Sequence, residues 1–259
     1  MPTSPSLQIT GLSEIPLVKP GDSVSALIIT ACEKQKLTIA NGDIFVVTQK
    51  IVSKSENRIR DLATIRPGLK ARYYAFITKK DPRFVQLVLT ESKRVLRAKK
   101  NTLIVEHKQG FVCANAGIDH SNVESADAAP GELYLLLPQD ADASARQIRR
   151  ELQEHYRKSL GVMVIDSHGR AWRNGTVGMT IGLAGLPGLV DLRGEEDLFG
   201  YRLKATLVAA ADELAGAASL LMGQAKEGVP VVVARGFPYR LRESSLKEIL
   251  RDKKEDLFR

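Results

Sequence analysis

The sequence lacks an uncharged apolar run long enough to span a bilayer. Its first residues, MPTSPSLQIT, lack the basic-then-apolar order of a secretion signal. No membrane association is expected, and the chain reads as cytoplasmic. Only two cysteines occur, Cys32 and Cys113, both in apolar contexts, which excludes a disulfide framework and a zinc motif. Helix-turn-helix spacing, zinc-finger spacing and an aromatic-rich RNA-binding strand are missing, so no nucleic-acid partner is expected. The glycines between Asn174 and Gly194 keep no fixed spacing, which excludes a P-loop and a dinucleotide fingerprint. Internal repeats and dividing linkers are also missing, and residues 1–259 are expected to form one domain.

What is present is an ordinary core-forming composition, 44% hydrophobic and 26% charged, with an uneven charge. The formal net charge is +8, yet residues 58–108 hold 14 Lys or Arg against 4 Asp or Glu, an excess larger than that of the whole chain. Such a stretch fits a solvated basic face, a polyanionic small substrate or nucleic acid.

Turn residues and apolar runs divide the chain further. TGLSEIPLVKPGDSV reads as a strand end and turns at Pro16 and Pro20-Gly21, then a helix to about Lys36. Asn41-Gly42-Asp43 turns into the strand IFVVTQ. Residues 68–97 read as helices broken near Asp81-Pro82, and TLIVEHKQGFVCANA as a hairpin about Gln109-Gly110. A helix is expected at about 143–158, then a buried strand GVMVI that ends at Asp166. An alanine-rich helix over 207–223 stops at Gly223, and VPVVVA forms another buried strand. Ser245 and Glu248 suggest a capping box for a final charged helix.

Two apolar strands thus lead into acidic loops, FVCANAGID at Asp119 and GVMVID at Asp166. Hard cations such as Mg2+ and Mn2+ take oxygen ligands, and two carboxylates on strand ends could share one ion, with the Ser167 hydroxyl beside the second. Aspartates that cap turns give the same pattern. His120 adjoins Asp119 and His168 follows Asp166 by two, which admits a His/Asp metal hydrolase. Neighbours on an extended chain point to opposite faces, so His120 reads as a bystander, while His107 and His155 read as surface residues. After IFVV, Lys50 and Lys54 flank Ser53 in a basic turn that would suit phosphate oxygens or simply face water.

Taken in order, IPLVKPGD, VVTQKIVSKSENRI, DPRFVQLVL, GFVCANAGIDHSNV, LLLPQDADASARQIR, GVMVIDSHGRAWRNGTVGMTIGLAG, DLFGYRL and AADELAGAASLLMGQAKEGVPVVVARG resemble the coenzyme F420:L-glutamate ligase (F420-0:gamma-glutamyl ligase) family. The resemblance implies an α+β, mixed-sheet, unusual ligase fold that forms an intertwined homodimer. It implies a GTP-using amide ligase that adds L-glutamate to the deazaflavin precursor of coenzyme F420. Mg2+ or Mn2+ would occupy two sites, and K+ is allowed for.

Carried over by position, Asp119 and Asp166 are catalytic metal ligands, and Ser167 and Gln224 ligands of a second ion. The nucleotide contacts implied are Ile15, Pro16, Leu17 and Val18, then Gln49, Lys50 and Lys54, then Asn122. Met222, Gly223, Gln224, Ala225, Lys226, Glu227, Gly228 and Val229 correspond to a loop over the nucleotide. This chain departs from the family in SENR for SEGR, in His120 and His168, and in the longer segment SADAAPGELYLLLP. These departures leave open a related amide ligase with another carboxylate acceptor. A non-catalytic nucleotide- or RNA-binding protein is the remaining alternative.

Overall fold

The apolar runs IFVV, GVMVI and VPVVVA lie side by side in the computed structural model, which describes residues 4–120 and 132–257. In chain order the elements are β1 (Gln8–Leu12), α1 (Val24–Lys34), β2 (Ile44–Thr48), α2 (Gln49–Ser55), β3 (Ile59–Asp61), α3 (Leu69–Thr78), α4 (Pro82–Thr90), β4 (Ser92–Lys99), β5 (Thr102–His107) and β6 (Val112–Ala114). There follow β7 (Leu133–Leu135), α5 (Ala141–Tyr156), β8 (Gly161–Arg170), β9 (Arg173–Ala184), β10 (Val190–Asp191), β11 (Leu207–Val208), α6 (Ala210–Met222) and β12 (Val231–Arg235). The architecture is α+β with a mixed sheet, as expected.

The main sheet has the order β1-β12-β2-β8-β9. Only β2 and β8 run parallel; every other pairing is antiparallel. Strands β2 and β12 and the first half of β8 are buried almost throughout, which is why they read as unbroken apolar runs rather than alternating ones.

Helices pack on both faces of this sheet, and β9 shows how. A Cβ at Gly182 would stand 2.3 Å from the carbonyl carbon of Ala141 in α5, and one at Gly178 would stand 2.5 Å from the Ala215 carbonyl oxygen in α6. Both positions are even-numbered and would share a face in a regular strand. Val164 pairs with Gly182 but Ile165 with Thr180, so Ile181 is a bulge residue that reverses the alternation. Each glycine then admits a different helix. A second apolar cluster, with Phe84, Val85, Val88, Leu103, Val105 and Leu136 among its members, joins α3 and α4 to the β4-β5-β6 hairpins.

Several expectations are corrected. Residues 92–99 are strand, not helix: Val95 and Ala98 pack on the second cluster three residues apart because bulges interrupt β4, and that spacing imitates a helical face. The basic turn after IFVV is helix α2. Strand β8 does not end at Asp166 but runs to Arg170, paired with β9. The final charged helix is a single 3-10 turn, Leu246–Glu248. Ser245 makes no capping bond, and the Glu248 carboxylate accepts from Gly188 N and Leu189 N and pairs with Arg242. Tertiary partners have taken the groups that a helix would use.

Candidate functional site

The strand pairings gather most of the singled-out segments at one end of the main sheet. Thr48 lies opposite Ile165 in the parallel pair, so Gln49 and Lys50 leave β2 beside Asp166. Leu12 lies opposite Val231, and Thr48 N donates to Pro230 O at 2.9 Å, which brings the entry to β12 and the exit from β1 to the same end. Ile15–Val18 follow β1 there, with Val18 buried and Leu17 exposed. Gly21 N donates to Ser55 O at 2.9 Å and Ser55 Oγ to Asp22 O at 2.6 Å, which ties the 15–22 segment to the end of α2. Lys54 lies on that helix, half-buried.

Asp119 is held by backbone. After β6 and a 3-10 turn at Asn115–Gly117, with Ala116 at φ 56°, the chain makes a two-bond bridge: Asp119 N donates to Leu135 O at 3.0 Å and Leu135 N to Asp119 O at 2.8 Å. The carboxylate meets Lys50, with Nζ 2.8 Å from Oδ2. A cation therefore already sits at Asp119, supplied by the helix that follows β2. Asp166 lies on β8 with its side chain 14% exposed, and the imidazole Nε2 of His168 approaches its Oδ2 to 3.0 Å without hydrogen-bond geometry. The same carboxylate helps burial push the Cys113 thiol up to about 12, which puts β6 against Asp166 and leaves that thiol inert.

Ser167 points the other way. It pairs with Gly178, whose open face meets α6 and whose N–H donates to Ser219 Oγ at 3.2 Å. Ser167 thus shares the α6 face, near the last turn of that helix, while Asp166 and His168 share the hairpin face. Gly223 (φ 69°) ends α6 and starts the loop that carries Gln224. In that loop Ala225 N donates to Glu227 Oε2 at 2.8 Å, and backbone N–H groups of Ala225, Glu227 and Gln224 hold the Glu227 carboxyl below its usual range. These N–H groups form a backbone nest that the Glu227 carboxylate occupies.

The donors named here are carboxylate, hydroxyl and amide oxygens, a set suited to Mg2+ or Mn2+ rather than to a soft metal. Among the described residues no cluster of three or more His, Cys, Asp or Glu could hold a metal by itself, so water and substrate oxygens would have to complete any ion's shell. A mostly buried carboxylate such as Asp166, with an imidazole nitrogen 3.0 Å away that makes no hydrogen bond, fits a cation site. Gln49 adds a further signature. It is fully buried, its Oε1 accepts from Ser53 Oγ at 2.9 Å, and its Nε2 has no partner.

Asn122 lies outside the described residues. His155 is at the surface as expected, and His120 is exposed against the Tyr134 ring. His107 is not a surface residue: it is 2% exposed and stacks on Phe111 at 4.9 Å. His168 stands beside Asp166 because residues i and i+2 of an extended strand share one face, a signal that the sequence itself carries.

A profile of the F420-0:Gamma-glutamyl ligase family matches residues 13–236. Relatives named coenzyme F420:L-glutamate ligase align over nearly full length. That of Methanothermobacter thermautotrophicus is 44% identical over 255 residues, covering 98% of this chain and 99% of the relative. Those of Methanocaldococcus jannaschii and Methanopyrus kandleri are 40% and 39% identical, each over 98% of this chain and 97% and 98% of the relative. On these matches, the chain belongs to the F420-0:gamma-glutamyl ligase family.

Proposed function

We propose that the protein is a GTP- and divalent-metal-dependent amide ligase that adds L-glutamate to the deazaflavin precursor of coenzyme F420 through an acyl phosphate. The observation that carries this reading is the meeting of Asp166, the Lys50–Asp119 pair and the 222–229 loop at one sheet end, in a member of this family. A carboxylate is a poor acyl donor, because an oxide ion is a poor leaving group. Its oxygen therefore attacks the γ-phosphorus of GTP and GDP leaves. The glutamate amine then attacks the acyl carbon, the bond to phosphate oxygen breaks, and the amine gives up a proton.

Asp119 and Asp166 would hold one Mg2+ or Mn2+, and Ser167 and Gln224 a second; such ions supply Lewis-acid charge to the phosphate oxygens. Lys50, on the Asp119 carboxylate, is positioned to meet a phosphate oxygen as well. The buried Gln49 Nε2 offers an unused donor, and the 224–227 backbone N–H groups form the nest that holds Glu227. A homodimer belongs to the same reading. It is supported by the apolar tip Leu198-Phe199, 96% and 94% exposed between β10 and β11, and light scattering tests it.

The direct test is to incubate the protein with the deazaflavin precursor, GTP, Mn2+ and L-glutamate and to weigh the products. A glutamyl mass increment that requires both GTP and metal is expected. No increment with any nucleotide or metal would overturn the proposal.

A further inference from the structure

His168 and Asp166 approach each other closely without bonding. Nε2 of the imidazole lies 3.0 Å from Oδ2 of the carboxylate, yet this buried nitrogen makes no hydrogen bond, in a residue only 7% exposed. A buried ring nitrogen without a partner costs free energy, and an ion shared with the neighbouring oxygen would remove that cost.

Strand register sets the pair. Asp166 lies opposite Met179 and His168 opposite Val177 on β9, so both side chains leave β8 on the same face. On that face Phe111 packs on the His168 ring, with centroids 5.5 Å apart, and Phe111 is itself stacked on the buried His107 at 4.9 Å. Those ring contacts hold the imidazole beside the carboxylate. Asp166 keeps 14% of its side chain exposed, which gives an ion a way in.

The spacing is that of two ligands on one metal. Donors about 2.1 Å from an octahedral ion and at right angles to each other stand about 3.0 Å apart. The oxygen then lies about 45° off the line from the nitrogen to the metal. A proton on Nε2 in place of the ion would therefore miss that oxygen, being too bent for a good hydrogen bond.

We propose that His168 Nε2 and Asp166 Oδ2 bind the same divalent ion, and that the imidazole makes this site select a transition ion such as Mn2+ over Mg2+. The proposal rests on the metal-dependent ligase reading and adds a nitrogen to its oxygen ligands. Mg2+ keeps to oxygen donors and water, whereas first-row transition ions accept imidazole readily. Among the described residues no cluster of three or more His, Cys, Asp or Glu forms a metal site. Water, phosphate oxygens or the Asp119 carboxylate drawn off Lys50 would fill the remaining positions.

Pulsed electron paramagnetic resonance of the full chain loaded with Mn2+, with and without GTP, reads the ligand directly. Modulation from a bound nitrogen is expected, and it should convert to the 15N pattern in protein grown on 15N-histidine, which separates imidazole from guanine nitrogen. His168→Gln should lose that signal and bind Mn2+ at least tenfold more weakly, with its Mg2+ affinity, read by competition, within threefold of wild type. Thermal melts check that the variant folds, and the labelled wild type needs no variant. Bound Mn2+ without histidine modulation, a signal that survives His168→Gln, or an unchanged Mn2+ affinity in the folded variant overturns the proposal and leaves the ligase reading standing. If the wild type binds neither ion, with or without GTP, the metal-dependent reading fails together with it.

Discussion

Asp119 is fixed through its backbone bridge to Leu135, so its side chain can change without loss of the local structure. Asp119→Ala removes a carboxylate from the proposed ion site and the anion that Lys50 faces. Metal-dependent product formation is expected to fall at least ~100-fold, with an unchanged far-UV circular dichroism spectrum. Asp119→Asn keeps the shape and removes the charge; comparable loss in it assigns the effect to charge. His107 offers a test of stability. Burial first, then the charges of Arg58, Lys108, His168 and Lys93, lower its pKa from 6.5 to about 4. Its Nδ1 accepts from Gln109 N at 3.1 Å, which favours the neutral ring. The native state thus binds the proton more weakly than the unfolded chain, so the stabilisation is complete above pH 6.5 and is lost as pH falls toward 4. Denaturant unfolding across that window should show wild type losing up to about 3 kcal/mol more than His107→Phe, and parallel curves would refute this. Nothing in the local polarity of TLIVEHKQG marks His107 as buried; the stacking on Phe111 comes from the hairpin's own fold.

At the scale of elements, β9 carries the clearest constraint. Gly182 touches α5 backbone, which cannot yield, so Gly182→Ala is expected to cost about 1–3 kcal/mol in chemical denaturation. Gly169→Ala on β8, where an added Cβ would meet nothing within 4 Å, serves as the near-neutral control. A loss as large at Gly169 would mean that strand propensity, not helix approach, sets the cost. The same strand explains the irregular glycine spacing seen in the sequence. Gly178 and Gly182 each answer to a helix, and the bulge at Ile181 puts those helices on opposite faces, while Gly175, at φ 82°, meets neither. Buried central strands were legible because both faces are apolar, whereas β4 was not, because its bulges put Val95 and Ala98 at a helix-like interval.

For the molecule as a whole, the proposed ions sit at a sheet end formed by strands that pair without them. Chelation is therefore expected to abolish ligation while leaving the melting profile close to that of the untreated apo-protein fold, and Mn2+ or Mg2+ should restore it. Unfolding on chelation would instead make the ions structural. Among the described residues no helix is long and apolar enough to cross a membrane, in line with the composition. By itself the sequence determined the buried central strands and the family, and through the family the α+β class, because these are carried by apolar runs or by ordered motifs. Only the tertiary structure decided that Lys50 meets Asp119, that Asp166 and Ser167 serve opposite faces of one strand, and that the C-terminal segment packs over His168 and Asp212. Those relations join residues far apart in the chain, and they follow from strand register and from the bulge in β9, which no local pattern encodes.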